Sequence, residues 1–336
     1  MRRITTSLIL LIGLLVFSAS DGSAQRLVGL FDLEMGVRAA AMGSAYVAVD
    51  DGNLGIFYNP AGLGTLRELH VNAFYESRFS RADQGVFSLA VPNFAAQLAI
   101  LSVNGAVRRD ENFQDIGALP YSQFGLVFGA GFTLDELSGT VPFDFDGLSV
   151  GSQFRLYSVS TTPGGSGVSF SLSPSILWIE ERAMFGNIPL QFLRVGLIAP
   201  DLLSLGMSYG DGHRESWGPG LRIGASATTP GGLLIAADLD ALGSFHIGVE
   251  WQHRGIEFGE IGMADISLRA GLKNLGNLMS PSIGFGFRLA DIQVDYALIL
   301  HSELPANHRF SISGIFGPPN FLLCALRPVY CPPDDP

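Results

Sequence analysis

Residues 291–298 read Asp-Ile-Gln-Val-Asp-Tyr-Ala-Leu. Ile292, Val294, Tyr296 and Leu298 fall on one side of that alternation, and Asp291, Gln293 and Asp295 on the other. A strand points successive side chains to opposite faces, so a period of two gives one apolar face and one wet face. The rhythm recurs along most of the chain. Phe245, Ile247, Val249 and Trp251 alternate with His246, Gly248 and Glu250, and Ile283, Phe285, Phe287 and Leu289 alternate with Gly284, Gly286 and Arg288. Val168, Phe170 and Leu172 alternate with Ser169, Ser171 and Ser173. Separators such as Thr162-Pro163-Gly164-Gly165 and Thr229-Pro230-Gly231-Gly232 are turn chemistry. The count is about fourteen strands, and an even number suits a single-chain bacterial barrel.

Solvated antiparallel sheets would show the same alternation. Strand number and the Phe-rich apolar face favour an all-β transmembrane antiparallel barrel of about 14 strands, lipid outside and water inside. Composition agrees. Hydrophobic residues make up 47% of 336 residues and mean hydropathy is +0.32. Beyond the N-terminus, no apolar run reaches the roughly 18 residues of a spanning helix. Apolar residues spread over lipid-facing strand positions explain both facts.

Residues 1–24 have the parts of a signal peptide: Arg2 and Arg3, an apolar stretch from Leu8 to Phe17, and Gly22-Ser23-Ala24 as a cleavage site. They imply export to the outer membrane of a Gram-negative-type bacterium, with outer-membrane lipid as partner. A net charge of −11 leaves no basic patch for nucleic acid. Cys324 and Cys331, the two cysteines, lie in the tail, where an exported protein can oxidise them to a disulfide. Two thiols with no nearby His do not complete a zinc shell, and no cofactor or metal is expected.

Residues 25–66 differ from the rest. Ala39 to Ala48 is rich in helix formers and small residues, and the segment closes with Asn59-Pro60-Ala61-Gly62-Leu63. Pro60 pushes Asn59 out of the helical region and Gly62 supplies a turn. The expectation is a compact element with one short helix, followed by barrel wall over 67–316 and a tail over 317–336. The presumed lumen face collects Arg155, Arg194, Arg222, Arg269, Arg288 and Arg309 with Glu250, Asp265 and Asp295, charges that can pair across a narrow lumen. Pro174, inside a strand pattern, marks a kink, a lateral gap or a strand end, since proline removes a ladder donor.

Residues 36–63 carry Gly36, Arg38, Ala39, Ala40, Met42, Gly43, Ala45, Tyr46, Ala48, Asp50 and Asp51, then Tyr58 and Asn59 to Leu63. This pattern resembles the N-terminal signature of the PorV/PorQ family of outer-membrane proteins, within the FadL-like group of barrels. His246 to Trp251, Leu268 to Lys273, Asp295 to Ala297 and Asn307 to Ser311 resemble the family's last four strands in order. The resemblance implies a fourteen-stranded barrel with the N-terminal segment tucked inside as a hatch. Small residues such as Ala39 to Ala41, Gly43 and Ser44 would let it lie close to the wall, and Asn59 and Asp50 would satisfy backbone groups where it joins the first strand. One departure is the tail: Phe316 would be the terminal aromatic, yet Gly317-Pro318-Pro319 and further residues follow.

Two functions stay open. The resemblance implies an accessory role in protein export of the type IX kind, with a secretion translocon and secreted cargo as partners. The alternative is FadL-like transport of hydrophobic small molecules, for which Phe31, Leu33, Met35 and Phe57 would line a pocket beside the hatch and the wall would be interrupted. Export leads slightly. An enzyme is not expected, because His70, His213, His246, His253, His301 and His308 accompany no nucleophile elbow, His-Glu-x-x-His or phosphate loop.

Overall fold

Alternating residues make strands whose apolar sides all face one way. Such a sheet leaves unpaired edges in lipid unless its first and last strands meet. In the computed structural model they do. It describes residues 30–49, 55–79, 81–134, 145–161, 165–210, 212, 214–215, 218–257, 259, 262–275, 278–302 and 304–317. Residues 1–24, expected to be a signal peptide, lie outside the described residues, as do Asp50, Asp51, His213 and the two cysteines.

Fourteen antiparallel strands close the barrel. The first six are Leu69–Arg78, Ala82–Val91, Phe94–Val103, Tyr121–Thr133, Leu148–Thr161 and Gly165–Glu181. The seventh to tenth are Phe192–Ile198, Arg222–Thr228, Leu233–Asp240 and Phe245–Glu257. The last four are Met263–Leu275, Leu278–Leu289, Ile292–Ile299 and Asn307–Phe316. Closure is direct: Leu69 lies opposite Phe316 and Ser77 opposite His308. Both chain ends of the wall therefore lie on one rim, the terminal rim. A small hairpin, Val107–Arg109 with Asp115–Ala118, stands on the far rim.

The outer face is apolar and aromatic. Tyr75, Phe87, Phe128, Phe154, Phe285 and Phe310 are exposed there. The inner face is polar: Gln84, Gln97, Gln153, and Ser169, Ser171, Ser173 and Ser175 of the sixth strand are all buried. A buried core beneath an exposed apolar belt is inverted relative to a soluble sandwich. No helix among the described residues is long and apolar enough to cross a membrane; the crossing is made by strands.

What fills the lumen is the N-terminal segment. Leu30, Met35, Ala39 to Ala41, Met42, Tyr46, Ile56 and Leu63 are fully buried inside the ring. The single helix expected within 39–48 is shorter and has company: Val37–Ala41 and Gly55–Tyr58 are α-helical, and Leu30–Asp32 and Pro60–Gly64 are 3-10 turns. The first helix stops because Gly43 turns the chain at φ +60 and lies directly on the eleventh strand. A Cβ on Gly271 would collide with Gly43, and one on Gly43 would sit 2.6 Å from the Leu272 nitrogen. Backbone touches backbone there, which only glycine permits.

Candidate functional site

Buried charges fasten the plug to the wall. Arg38 donates from Nε and Nη2 to the two carboxylate oxygens of Glu250, at 2.8 and 2.6 Å. Arg269 donates to the same carboxylate at 2.5 Å and to Asp295 at 2.6 Å. A charged row thus runs from the plug through the tenth and eleventh strands to the thirteenth. Forked guanidinium–carboxylate pairing of this kind fixes direction as well as distance. Arg222 pairs with Asp238 at 2.9 Å and donates to the Ser44 carbonyl. Asp238 also accepts the Tyr46 and Val47 amides, at 2.8 and 3.1 Å.

Of the third anchor, alternation placed Arg309 on the lumen face and missed Glu34 and Glu76. Glu34 meets Lys273 at 3.0 Å and Arg309 at 3.2 Å, and Arg309 meets Glu76 at 2.8 Å. Burial alone would raise the Glu34 pKa, but Lys273 and Arg309, with Arg78 beyond them, outweigh it and hold the carboxyl well below the usual range. Lys273 is the chain's only lysine, a signal that pointed here without naming its partner. Arg288 stands apart from the lumen cluster in which the sequence placed it: it donates to the Ala290 carbonyl at 3.0 Å, near the terminal rim. Asp265 likewise accepts the Gly255 amide at 2.9 Å, clear of the lumen charges.

The motif residues act on backbone. Asn59 accepts the Ala61 amide at 3.1 Å and donates to Val47 and Ile176 carbonyls at 2.8 and 3.1 Å. It ties two parts of the plug to the sixth strand. The Pro60–Gly64 turn lies so close to the wall that side chains at Gly131 or Gly151 would strike it. Gly36 starts the first helix at φ 94. Gly43 donates to Ser282 Oγ at 3.2 Å, and its carbonyl accepts from His246 Nδ1 at 2.8 Å. His246 is thereby a plug fastener, as its place on the wet face allowed.

Arg155 is different from the other arginines. Its guanidinium lies over the rings of Phe31 and Phe57, 5.3 and 5.1 Å from their centroids. Its Nη1 is 3.5 Å from Asp201 Oδ1. The Asp201 carboxylate also accepts from Ser171 Oγ at 2.5 Å, and its amide donates to Ser173 Oγ at 2.9 Å. Of the four residues expected to line a pocket, Phe31 and Phe57 hold this cation. Met35 is buried, with its sulfur 3.5 Å from Gln84 Nε2, and Leu33 packs at the edge of the same cluster.

Asp201 sits where the wall is broken. The seventh strand pairs with the sixth and eighth only over Phe192–Ile198. It resumes beside the sixth at Leu203–Ser204 and again at Met207–Tyr209. There it folds back on Arg214–Glu215. Among the described residues, no strand pairing joins this continuation to the eighth or ninth strand. A seam therefore runs from the break toward the far rim, bridged at its base by the Gly220 amide donating to the Pro200 carbonyl at 2.8 Å. Leu202, Leu203 and Leu205, just past the break, are exposed. Pro174 stands in mid-strand opposite. Its carbonyl accepts the Ala199 amide at 3.0 Å. In an antiparallel ladder a residue's N–H and C=O face the same neighbour, so the donor that proline lacks would have pointed at the break.

A second opening lies at the terminal rim. It is a cavity of about 480 Å³ lined by Arg38, Arg194, Arg254, Gln191, Gln252 and neighbours. Its wall is polar and does not suit a hydrocarbon.

A closed antiparallel barrel with an apolar belt, a polar interior and an internal plug defines an outer-membrane protein of the plugged-barrel class. No family model matches the chain and no curated protein matches it. The PorV/PorQ resemblance therefore rests on its motifs alone. Among solved structures the chain is similar to the CymD monoaromatic hydrocarbon channel, at 14% identity and TM-score 0.47, covering 88% of this chain and 99% of that one. It is also similar to the P. putida toluene transporter TodX, at 10% identity and TM-score 0.42, covering 84% and 98%. Likenesses this distant add nothing about cargo.

Proposed function

We propose that this protein conducts hydrophobic small molecules through the outer membrane, with the N-terminal segment as hatch and the seam beside the seventh strand as a side door. The seam carries the reading. A closed barrel gains stability from every rung of its ladder, and a ladder that stops halfway up leaves backbone groups to be satisfied otherwise. Pro174, the inward Asp201 and the exposed leucines all sit at that one place, as a built doorway requires. A molecule passing sideways there would meet apolar side chains and then lipid, while the plugged lumen would exclude sugars and ions. Export remains the reading that the sequence motif suggests, and no arrangement of the described residues favours it.

Reconstituted liposomes decide between them. Toluene and decanoate flux without sucrose-driven swelling supports the side door. Sucrose permeation without hydrocarbon flux defeats it. Co-purification of a translocon subunit with secreted proteins, and no flux, would return the protein to export.

A further inference from the structure

We propose that the Arg155–Asp201 pair is a latch tying the seam to the hatch, so that the position of Phe31 and Phe57 controls whether the wall is closed. The inference deepens the side-door reading and names how that door is held. Arg155 belongs to the fifth strand, Asp201 to the break in the seventh, and the two rings to the plug.

Asp201 holds φ +55, a left-handed turn conformation that Asp adopts more readily than most residues with a side chain. Its surroundings here include Ser171, Ser173 and the Arg155 guanidinium. Arg155 is itself buried, and its flat cation lies against the Phe31 and Phe57 rings. Gly125 leaves the room for this, since a Cβ there would lie 2.7 Å from the Phe31 ring. An apolar molecule competes for the same ring faces. When it wins, the guanidinium moves, and Asp201 becomes a buried carboxylate without that cation. Such a group is driven toward water. Its turn then relaxes and the seventh strand is released at residues 199–202.

The remaining plug contacts make this local. The anchors on Glu250 and Glu34 lie on strands one, ten, eleven, thirteen and fourteen, away from the break, while the Asp238 anchor reaches Arg222, opposite Ile198 beside the break. The latch can open while the plug stays fastened on its other side.

Hydrogen exchange on the purified barrel tests the latch, reading the peptide over residues 199–205 with and without saturating toluene. Asp201→Asn is expected to raise exchange there about tenfold without toluene, the rest of the barrel unchanged. Phe57→Leu, which keeps apolar volume but removes one ring face, is expected to raise it less, and serves should Asp201→Asn fold poorly. Toluene is expected to raise it in the unmodified protein and add nothing to Asp201→Asn. Protection of 199–205 unchanged in both variants, or exchange raised evenly around the barrel, overturns the latch. If both variants loosen the seam but the unmodified protein carries no toluene or decanoate, the latch stands and the transport reading falls.

Discussion

Single residues decide how closely the plug and wall approach. Gly43 is the sharpest instance, because it needs both a left-handed backbone and an open face toward Leu272. Gly43→Ala meets both obstacles at once. The conformational penalty alone is about 1–2 kcal/mol; the collision with backbone adds to it. Proteolysis of the plug should become rapid in this variant, while circular dichroism keeps the strand signal. Glu34 offers a charge-based counterpart. Removing one partner of a buried pair costs about 3–5 kcal/mol, so Glu34→Gln should loosen residues 30–35 measurably in hydrogen exchange. The pH dependence has a definite sign. A carboxyl held below its unfolded value contributes full stability above that value and loses it only as pH falls toward the folded pKa. Protection over 30–35, taken relative to intrinsic amide exchange at each pH, should therefore stay flat from pH 8 to about pH 5 and fall only below about pH 4. A loss of protection between pH 7 and 6 would mean that a histidine, and not Glu34, governs the anchor.

Strands tell inner from outer face by their period, and this part of the fold was legible. In the eleventh strand Leu268 points to lipid and Arg269 to the lumen, as alternation alone implies. Leu268→Arg should cost about 2–4 kcal/mol if the site lies near mid-membrane, read as a lowered urea midpoint in lipid vesicles. A cost no larger than for an exposed loop position would contradict the lipid-facing assignment. The seventh strand was less legible for a physical reason. Ala199-Pro200-Asp201 looks like a turn signal in any sequence, but its inward Asp depends on Arg155, Ser171 and Ser173, brought together only by closure. Pro174 was the one sequence hint, and its meaning depended on which neighbour its carbonyl faced. Glu34 was hidden for the same reason, since its partners lie on the eleventh and fourteenth strands.

At the scale of the molecule the barrel is uneven. Strands ten to twelve have continuous ladders, with pairing from Phe245 to Glu257 and from Ala264 to Leu289 and one irregularity between His253 and Ile256. The charged row from Arg38 to Asp295 crosses that same side. The seventh and eighth strands have ladders of only seven residues and a broken neighbour. Local opening costs least where few contacts and hydrogen bonds must be undone. Amides of 192–198 and 222–228 should accordingly exchange at least about tenfold faster than those of 264–274 in the same detergent. The alternative, uniform protection around the ring, is what a barrel would show if its short ladder were compensated by the chain at 199–221. In that case the wall would have no weak side, and a laterally released cargo would have no place to leave.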